Sequence, residues 1–360
     1  MFCIGTRPEA IKLAPLILAS KARNLDVQVV VTGQHHEMLV PFLEFFKIQV
    51  TDRLNVMQAH QSLSELTAKV LMQIQPLFTK NKPELLFVQG DTTTALGSAL
   101  AAFYEKVPVV HVEAGLRTQD RYSPFPEEMN RKLIGGIAEY HFAPTETSAE
   151  NLRREGITQN VWVTGNTGID GLRICSEIIK NDNTDHPSAT DKNLKTILVT
   201  CHRRENHGQP LENICSAFLE IVNHFEDTEI VFPVHLNPKV QTLVQQKLGN
   251  HPRIKLLKPL DYPDFVKWMQ KSHILLTDSG GIQEEGPYFK KPILVMREST
   301  DRPEGVAAGV AELVGSSREK IVSAVTRALT DEKYYQSFQK SENPYGDGFA
   351  SEKILKHLGL

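Results

Sequence analysis

The sequence predicts an α/β protein in which parallel sheets are covered by helices, built twice over in two domains. Three observations carry that expectation. Short β-rich runs alternate with helically spaced segments from one end of the chain to the other, the pattern of strand–helix–strand units. The 360 residues exceed what a single hydrophobic core ordinarily serves. One polar, proline-containing stretch without apolar period, "NDNTDHPSATDKN" (181–193), splits the alternation and marks the surface beside a domain boundary.

In the first run, a strand leads into "GTRPEAIK" (5–12). "DVQVVVTG" (26–33), "ELLFVQGD" (84–91), "VPVVHVEAG" (107–115) and "NVWVTGN" (160–166) then read as buried strands. Between them, "PEAIKLAPLILASKA" and "TTTALGSALAAFYEK" carry apolar residues at helical spacing. The second run has "KTILVTCH", "EIVFPVH", "RIKLL", "HILLTD" and "KPILVM", each followed by a helical or Gly/Pro-rich segment.

Composition excludes several classes. A net charge of −3 supplies no basic field for nucleic acid or an anionic membrane, and no apolar run is long enough to span a bilayer. The opening "MFCIGTRPEA" lacks the regions of a signal peptide, and Cys3, Cys175, Cys201 and Cys215 form no Cys-x-x-Cys. Reduced cysteines in a cytoplasmic protein are expected. The 13 histidines include no His-Glu-x-x-His, so no metal is expected. The glycine fingerprints of NAD enzymes and of phosphate-loop ATPases are absent as well, and no cofactor is expected.

The chemistry gathers at strand ends. "DSGG" (278–281) looks like the surround of a serine-protease nucleophile, but that protease is an all-β barrel and this chain is α/β. Here "ILLT" is a strand and "IQEE" begins a helix, so Ser279, Gly280 and Gly281 form a turn at the carboxyl end of a parallel strand, where open α/β sheets bind ligands. A nucleotide diphosphate suits such a turn. Glu285 lies about 9 Å further along a helix at roughly 1.5 Å per residue, a distance suited to ribose hydroxyls. Arg7 and Lys12, one helical turn apart after the first strand, are placed to hold a phosphate. Asp91 either caps the helix that follows it or serves in chemistry. Glu113 leaves a strongly apolar strand and is costly to bury unpaired. Of Glu127 and Glu128 at a helix start, one reads as a charge that complements the helix dipole. His202, Arg203, Arg204 and His235 end two strands of the second run, and Arg302 follows on a loop.

Read in order, "GTRPEAIK", "VTGQHHEML", "GDTTTALGSALAAFY", "HVEAGLRT", "YSPFPEEMNRK", "HFAPTETS", "TGNTGID", "HRREN", "PVHLNP", "LTDSGGIQEE", "RPEG" and "NPYGDGFAS" resemble the non-hydrolysing UDP-N-acetylglucosamine 2-epimerases of bacteria over nearly the whole chain. The resemblance implies two Rossmann-like domains facing across a cleft, of glycosyltransferase-B type. The first would take residues 1–167 and 345–360, with a last helix near 350–358 returning to it, and the second 168–344. It implies interconversion of UDP-GlcNAc and UDP-ManNAc by elimination of UDP to 2-acetamidoglucal and re-addition, supplying ManNAc units for surface polysaccharide. By motif, Asp91, Glu113 and Glu127 match the acid/base set, and His202 the histidine on the diphosphate side. Which carboxylate removes the proton and which returns it stays open. Arg7, Lys12, Ser279, Gly280, Gly281, Glu285 and Arg302 match UDP-binding positions. Gln34, His35, Arg203, His235 and the shared Glu127 match a second, regulatory UDP-GlcNAc site. The expected partners are UDP-GlcNAc, UDP-ManNAc and UDP, with a homodimer as the assembly. His36 and His60 depart from the usual arginine or glycine in stretches of that regulatory site. "EGPYFKKP" reads as a packing change, and the four residues before Gly5 as a shortened start. The hydrolysing 2-epimerase, releasing ManNAc and UDP, is the alternative reading; a nucleotide-sugar-binding protein without catalysis is a third.

Overall fold

The structure is a computed structural model describing residues 1–33, 36–58, 61–181 and 194–360, the side chains of 36–38 excepted. Gln34, His35, His60 and nearly all of the polar stretch 181–193 therefore lie outside the described residues, as does the side chain of His36. The chain divides into two compact units, Met1–Ile174 with Tyr345–Leu360, and Cys175–Pro344.

The first unit runs β1 (Phe2–Ile4), α1 (Arg7–Ala22), β2 (Val29–Val31), α2 (His36–Phe45), β3 (Asp52–Arg53), α3 (Leu63–Lys80), β4 (Leu86–Gln89), α4 (Thr93–Tyr104), β5 (Val109–Val112), α5 (Glu127–Ile137), β6 (Tyr140–Ala143), α6 (Glu146–Arg154) and β7 (Val161–Val163), then enters α7 (Thr167–Asn181). Among the described residues its strands form one parallel sheet in the order β3-β2-β1-β4-β5-β6-β7. Helices cover both faces of such a sheet, so central strands need apolar residues on both sides, and every residue of β1, β4 and β5 is buried. The second unit runs β8 (Lys195–Thr200), a short 3₁₀ turn (Arg204–Asn206), α8 (Gln209–His224), β9 (Thr228–Pro233), α9 (Pro238–Leu248), β10 (Ile254–Leu257), α10 (Tyr262–Lys271), β11 (Ile274–Thr277), α11 (Gly280–Glu285), β12 (Ile293–Val295), α12 (Pro303–Ala307), β13 (Glu312–Leu313), α13 (Arg318–Thr330) and α14 (Glu332–Lys340). Its sheet, also parallel, has the order β10-β9-β8-β11-β12-β13. The α/β class with two helix-covered parallel sheets is as the sequence predicts. Strands β3, β6 and β13 were not apparent in it: β3 and β13 are two residues long, and β6 interrupts its apolar run with His141.

The last helix, α15 (Ala350–His357), belongs to the first unit. Asp170 of α7 holds its start, accepting the backbone N–H groups of Ala350 at 3.1 Å and Ser351 at 2.7 Å. The acceptor comes from another helix, where a local side chain ordinarily caps.

His111 of β5 is an immediate neighbour of His141 on β6 in the sheet register, and both are buried. Its Nε2 lies 2.7 Å from the carbonyl oxygen of Gly90. A carbonyl only accepts, so the proton sits on Nε2. Nδ1 is buried and finds no partner among the described residues, leaving nowhere for a second proton. Burial pushes His111 down to about 3, against the opposing bond to Gly90. A histidine depressed on folding contributes stability that is lost as pH falls from its unfolded value of 6.5. His111→Gln keeps a donor for Gly90 but does not titrate. Relative to the variant, the wild type is therefore expected to lose about 1.5 kcal/mol between about pH 6.5 and about pH 5. Urea unfolding at both pH values checks this; a gap that does not change with pH contradicts it.

Candidate active site

Both sheets place their chemistry at the carboxyl ends of strands flanking the point where the order reverses: β1 beside β4 in the first, β8 beside β11 in the second. In the first unit, Gly5 turns β1 into α1. A Cβ there would lie 2.5 Å from Thr94 Oγ1, so the start of α4 leaves room only for glycine. Glu9 folds back over this turn. It accepts the N–H of Gly5 at 3.0 Å and of Thr6 at 2.6 Å, and the Thr92 hydroxyl at 2.7 Å, tying the β1 and β4 turns together. Burial pushes Glu9 up to about 7, with the hydrogen bonds from Thr92, Thr6 and Gly5 opposing. Arg7, half-buried in the same turn, pairs with none of the described residues.

Glu113 follows β5 with φ +64, a left-handed conformation that costs a non-glycine residue energy and recurs at functional sites. It is 8% exposed. Lys12 Nζ stands 2.6 Å from each of its carboxylate oxygens, and the Gln89 amide donates to Oε2. Lys12 is thus set on Glu113 as well as near the turn that holds Arg7. Asp91 follows β4. The cap of α4 is taken by Thr92, whose hydroxyl accepts the Ala95 N–H at 3.0 Å, so the capping reading of Asp91 falls away. Its carboxylate meets the Arg131 guanidinium at 2.7 Å, and Asn130 donates to its carbonyl at 2.8 Å. α5 starts with Glu127, half-buried and paired with none of the described residues, followed by Glu128, fully buried. Glu128 is no mere complement to the helix dipole: it accepts the N–H of Thr118 at 3.0 Å and of Gln119 at 3.3 Å, and meets Arg131 at 3.1 Å.

In the second unit, Asp278 at the end of β11 is wholly buried. It accepts the backbone N–H of His202 at 2.9 Å and of Arg203 at 2.9 Å, the Asn206 amide at 3.0 Å, and the His202 ring Nδ1 at 3.0 Å. Burial alone would raise Asp278; the bonds from His202, the Arg203 N–H and Asn206, with the histidine's charge, bring it below the ordinary aspartate value. His202 is left with Nε2 directed away from its anchor, and its ring lies 6.4 Å from that of His235 after β9. Ser279 stands at the N-cap of α11 but its side chain caps nothing, so the hydroxyl is left over from the fold. At Gly280 an added Cβ would find Arg203 Nη2 at 3.6 Å and the Arg302 guanidinium carbon at 3.8 Å, ordinary contacts. Packing does not demand glycine there; the space it leaves faces two guanidinium groups and the Asp301 carboxylate, whose Oδ2 would lie 3.7 Å from that Cβ. Arg302 is itself steadied by Glu284 and by Asp301 at 3.2 Å, and Glu285 closes α11, half-buried.

Sequence reasoning missed Asp278, Gln89, Arg131 and the inward role of Glu128. Arg131 had a signal, since its place three residues after Glu128 on a helix puts the two side chains on one face. Asp278 had one too, as an acid ending an apolar strand. Among the described residues no group of His, Cys, Asp and Glu is arranged to hold a metal ion. The first unit can move protons; the second can hold an anion.

A family model described as UDP-N-acetylglucosamine 2-epimerase matches residues 18–359. The UDP-N-acetylglucosamine 2-epimerase of Escherichia coli (strain K12) is 48% identical over 362 residues, covering 98% of this chain and 96% of that protein. The crystal structure of the UDP-GlcNAc 2-epimerase from Neisseria meningitidis bound to UDP-GlcNAc superposes with a TM-score of 0.89 at 44% identity, covering 99% of this chain and 98% of that one. The Methanocaldococcus jannaschii UDP-GlcNAc 2-epimerase in complex with UDP-GlcNAc and UDP gives a TM-score of 0.80 at 35% identity, covering 99% and 98%. With its two parallel sheets, its strand-end carboxylates and these relatives along its length, the chain belongs to the UDP-N-acetylglucosamine 2-epimerase family.

Proposed function

We propose that the chain interconverts UDP-GlcNAc and UDP-ManNAc without hydrolysis. The observation that carries this reading is the pair Asp91 and Glu113 at the ends of adjacent strands. The C2 hydrogen of the sugar is not next to a carbonyl, so the proton can leave only if its electron pair is used elsewhere. In an elimination that pair becomes the C1–C2 double bond, while the C1–O bond breaks and its electrons depart with UDP. A carboxylate holds the proton. Protonation of 2-acetamidoglucal at C2 from the opposite face leaves C1 electron-poor, and UDP closes the bond again. Asp91, Glu113 and Glu127 form the acid/base set on the first unit; the charges on Asp91 and Glu113 are already met by Arg131 and Lys12. On the second unit His202, Arg203 and Arg302, with the Ser279–Gly280–Gly281 turn, suit the diphosphate that leaves and returns. Glu285 suits the ribose, and Arg7 of the first unit a phosphate.

The cycle is redox-neutral and needs no metal, which sets its test. Turnover in D₂O is expected to place deuterium at C2 of both epimers and to survive EDTA. Retention of the C2 hydrogen, or loss of activity with EDTA, contradicts the elimination; free ManNAc in the same NMR spectra supports the hydrolysing alternative.

Glu113→Gln keeps the shape of the side chain and removes its basicity, so kcat should fall about 10²-fold or more while UDP still binds. Activity within a few-fold of wild type removes Glu113 from the mechanism. Glu285→Ala should show the reverse, with weaker UDP binding as the main effect; calorimetry finding unchanged UDP affinity overturns the ribose assignment.

We also propose regulation by UDP-GlcNAc at a second position. Arg203 and His235 on the second unit and Glu127 on the first retain groups that suit a nucleotide sugar. Gln34 and His35 would complete the set. Added UDP-GlcNAc should then speed turnover starting from UDP-ManNAc, with a sigmoidal response, because only an effector with unequal affinity for two states shifts them. Equal initial rates with and without it rule the effector out.

A further inference from the structure

Glu128, like Glu9, is a carboxylate near the proposed acid/base set that is shut away from solvent. Its surface exposure is 0%, although it sits in the first turn of a helix beside the half-buried Glu127. An acid placed there only for the helix dipole would stand in water, where it contributes a few tenths of a kcal/mol. Burying it is costly unless donors replace the solvent, and the structure supplies three.

Two of them are the backbone N–H groups of Thr118 and Gln119, at 3.0 and 3.3 Å. They lie in the segment that follows Glu113, and Gln119 is held there at φ +67. The third is Arg131 Nη1 at 3.1 Å. The opposite edge of the same guanidinium, Nε and Nη2, meets Asp91 at 2.7 Å. A guanidinium is a rigid plane, so fixing one edge on Glu128 fixes the direction from which the other edge presents itself to Asp91. Asp91 is thereby steadied from its side chain by Arg131 and from its carbonyl by Asn130, the neighbour but one of Glu128 on α5.

We propose that Glu128 is a positioning residue for the epimerisation, which orients Arg131 on Asp91 and braces the segment leading away from Glu113. It contacts no reacting atom; it acts through Arg131. The proposal rests on the epimerase reading above, and wild-type turnover of UDP-GlcNAc to UDP-ManNAc is measured first. An inactive wild type counts against that reading; an active wild type with an indifferent Glu128 counts against this one.

The experiment is a double-mutant cycle of Glu128→Gln and Arg131→Gln, followed through kcat, KM and UDP affinity. Glu128→Gln keeps the volume and one acceptor but gives up the charge that grips Nη1. Its kcat should fall about tenfold or more, with KM and the Kd for UDP within about threefold of wild type. Because the two residues act as a unit, the double variant should be no slower than the slower single one. Glu128→Asp, which restores the charge on a shorter arm, should recover part of kcat. Should Glu128→Gln not fold, Arg131→Lys replaces it: lysine keeps the positive charge between both carboxylates but cannot present two fixed edges, and kcat should fall in the same way. A kcat within twofold of wild type in folded Glu128→Gln, Arg131→Gln or Arg131→Lys overturns the proposal. So do multiplicative losses in the double variant, or a loss of UDP affinity matching the loss of kcat.

Discussion

A carboxylate leaves water only where donors take the solvent's place, and the strand ends of both sheets are organised around that need. Glu9, Glu113, Glu128 and Asp278 are all buried, and each has its own set of partners. For Glu9 these are backbone N–H groups and a threonine; for Glu113 a lysine and an amide; for Glu128 an arginine and a loop; for Asp278 two N–H groups, an amide and a histidine ring. Each set draws on a different element, so satisfying one acid fixes two or three turns together. The rigidity that chemistry requires arises here as a by-product of compensating charge.

Strand order decides which acids meet. β1 and β4 are separated by two strands in sequence yet lie side by side, which brings the Gly5–Lys12 turn to the Asp91 and Glu113 ends. The same crossover in the second sheet sets β8 next to β11, and with them His202 next to Asp278. The two units use the space differently. The first turns its donors inward onto carboxylates, leaving Glu127 and Arg7 unengaged by the described residues. The second turns Asp278 and Glu284 inward and leaves two guanidinium groups and the Asp301 carboxylate around the gap at Gly280.

The architecture was legible because its central strands are buried on both faces and therefore appear as unbroken apolar runs. Strand-end motifs stood out for the same reason: a charge beside "VVHV" is conspicuous, whereas Asp278 beside "ILLT" carried the same signal and was passed over for the Ser-Gly-Gly turn after it. Three features were not legible. Asp91 and Thr92 are both competent caps, and only the geometry shows Thr92 doing it. Glu127 and Glu128 are chemically identical neighbours; a rotation of about 100° per residue turns one inward. Which one depends on where the 118–119 segment lies, a tertiary fact. β6 hides because His141 breaks its pattern, although burial pushes that histidine down to about 4 and makes it a neutral core residue.

The hold of Asp170 on α15 has a bearing on biosynthesis. The residues that close the first unit follow the second unit in sequence, so a ribosome delivers all of Cys175–Pro344 before Tyr345–Leu360 can take their place. Through that interval the surface of α7 and α1 destined for α15 stands open to the cell, and the second unit has the chance to fold first, against the usual amino-to-carboxyl order of domain folding. Tyr345–Leu360 thus act as the closing stitch of a unit begun before the second one, and a ribosome that stalls ahead of them leaves a first unit with a seam still open.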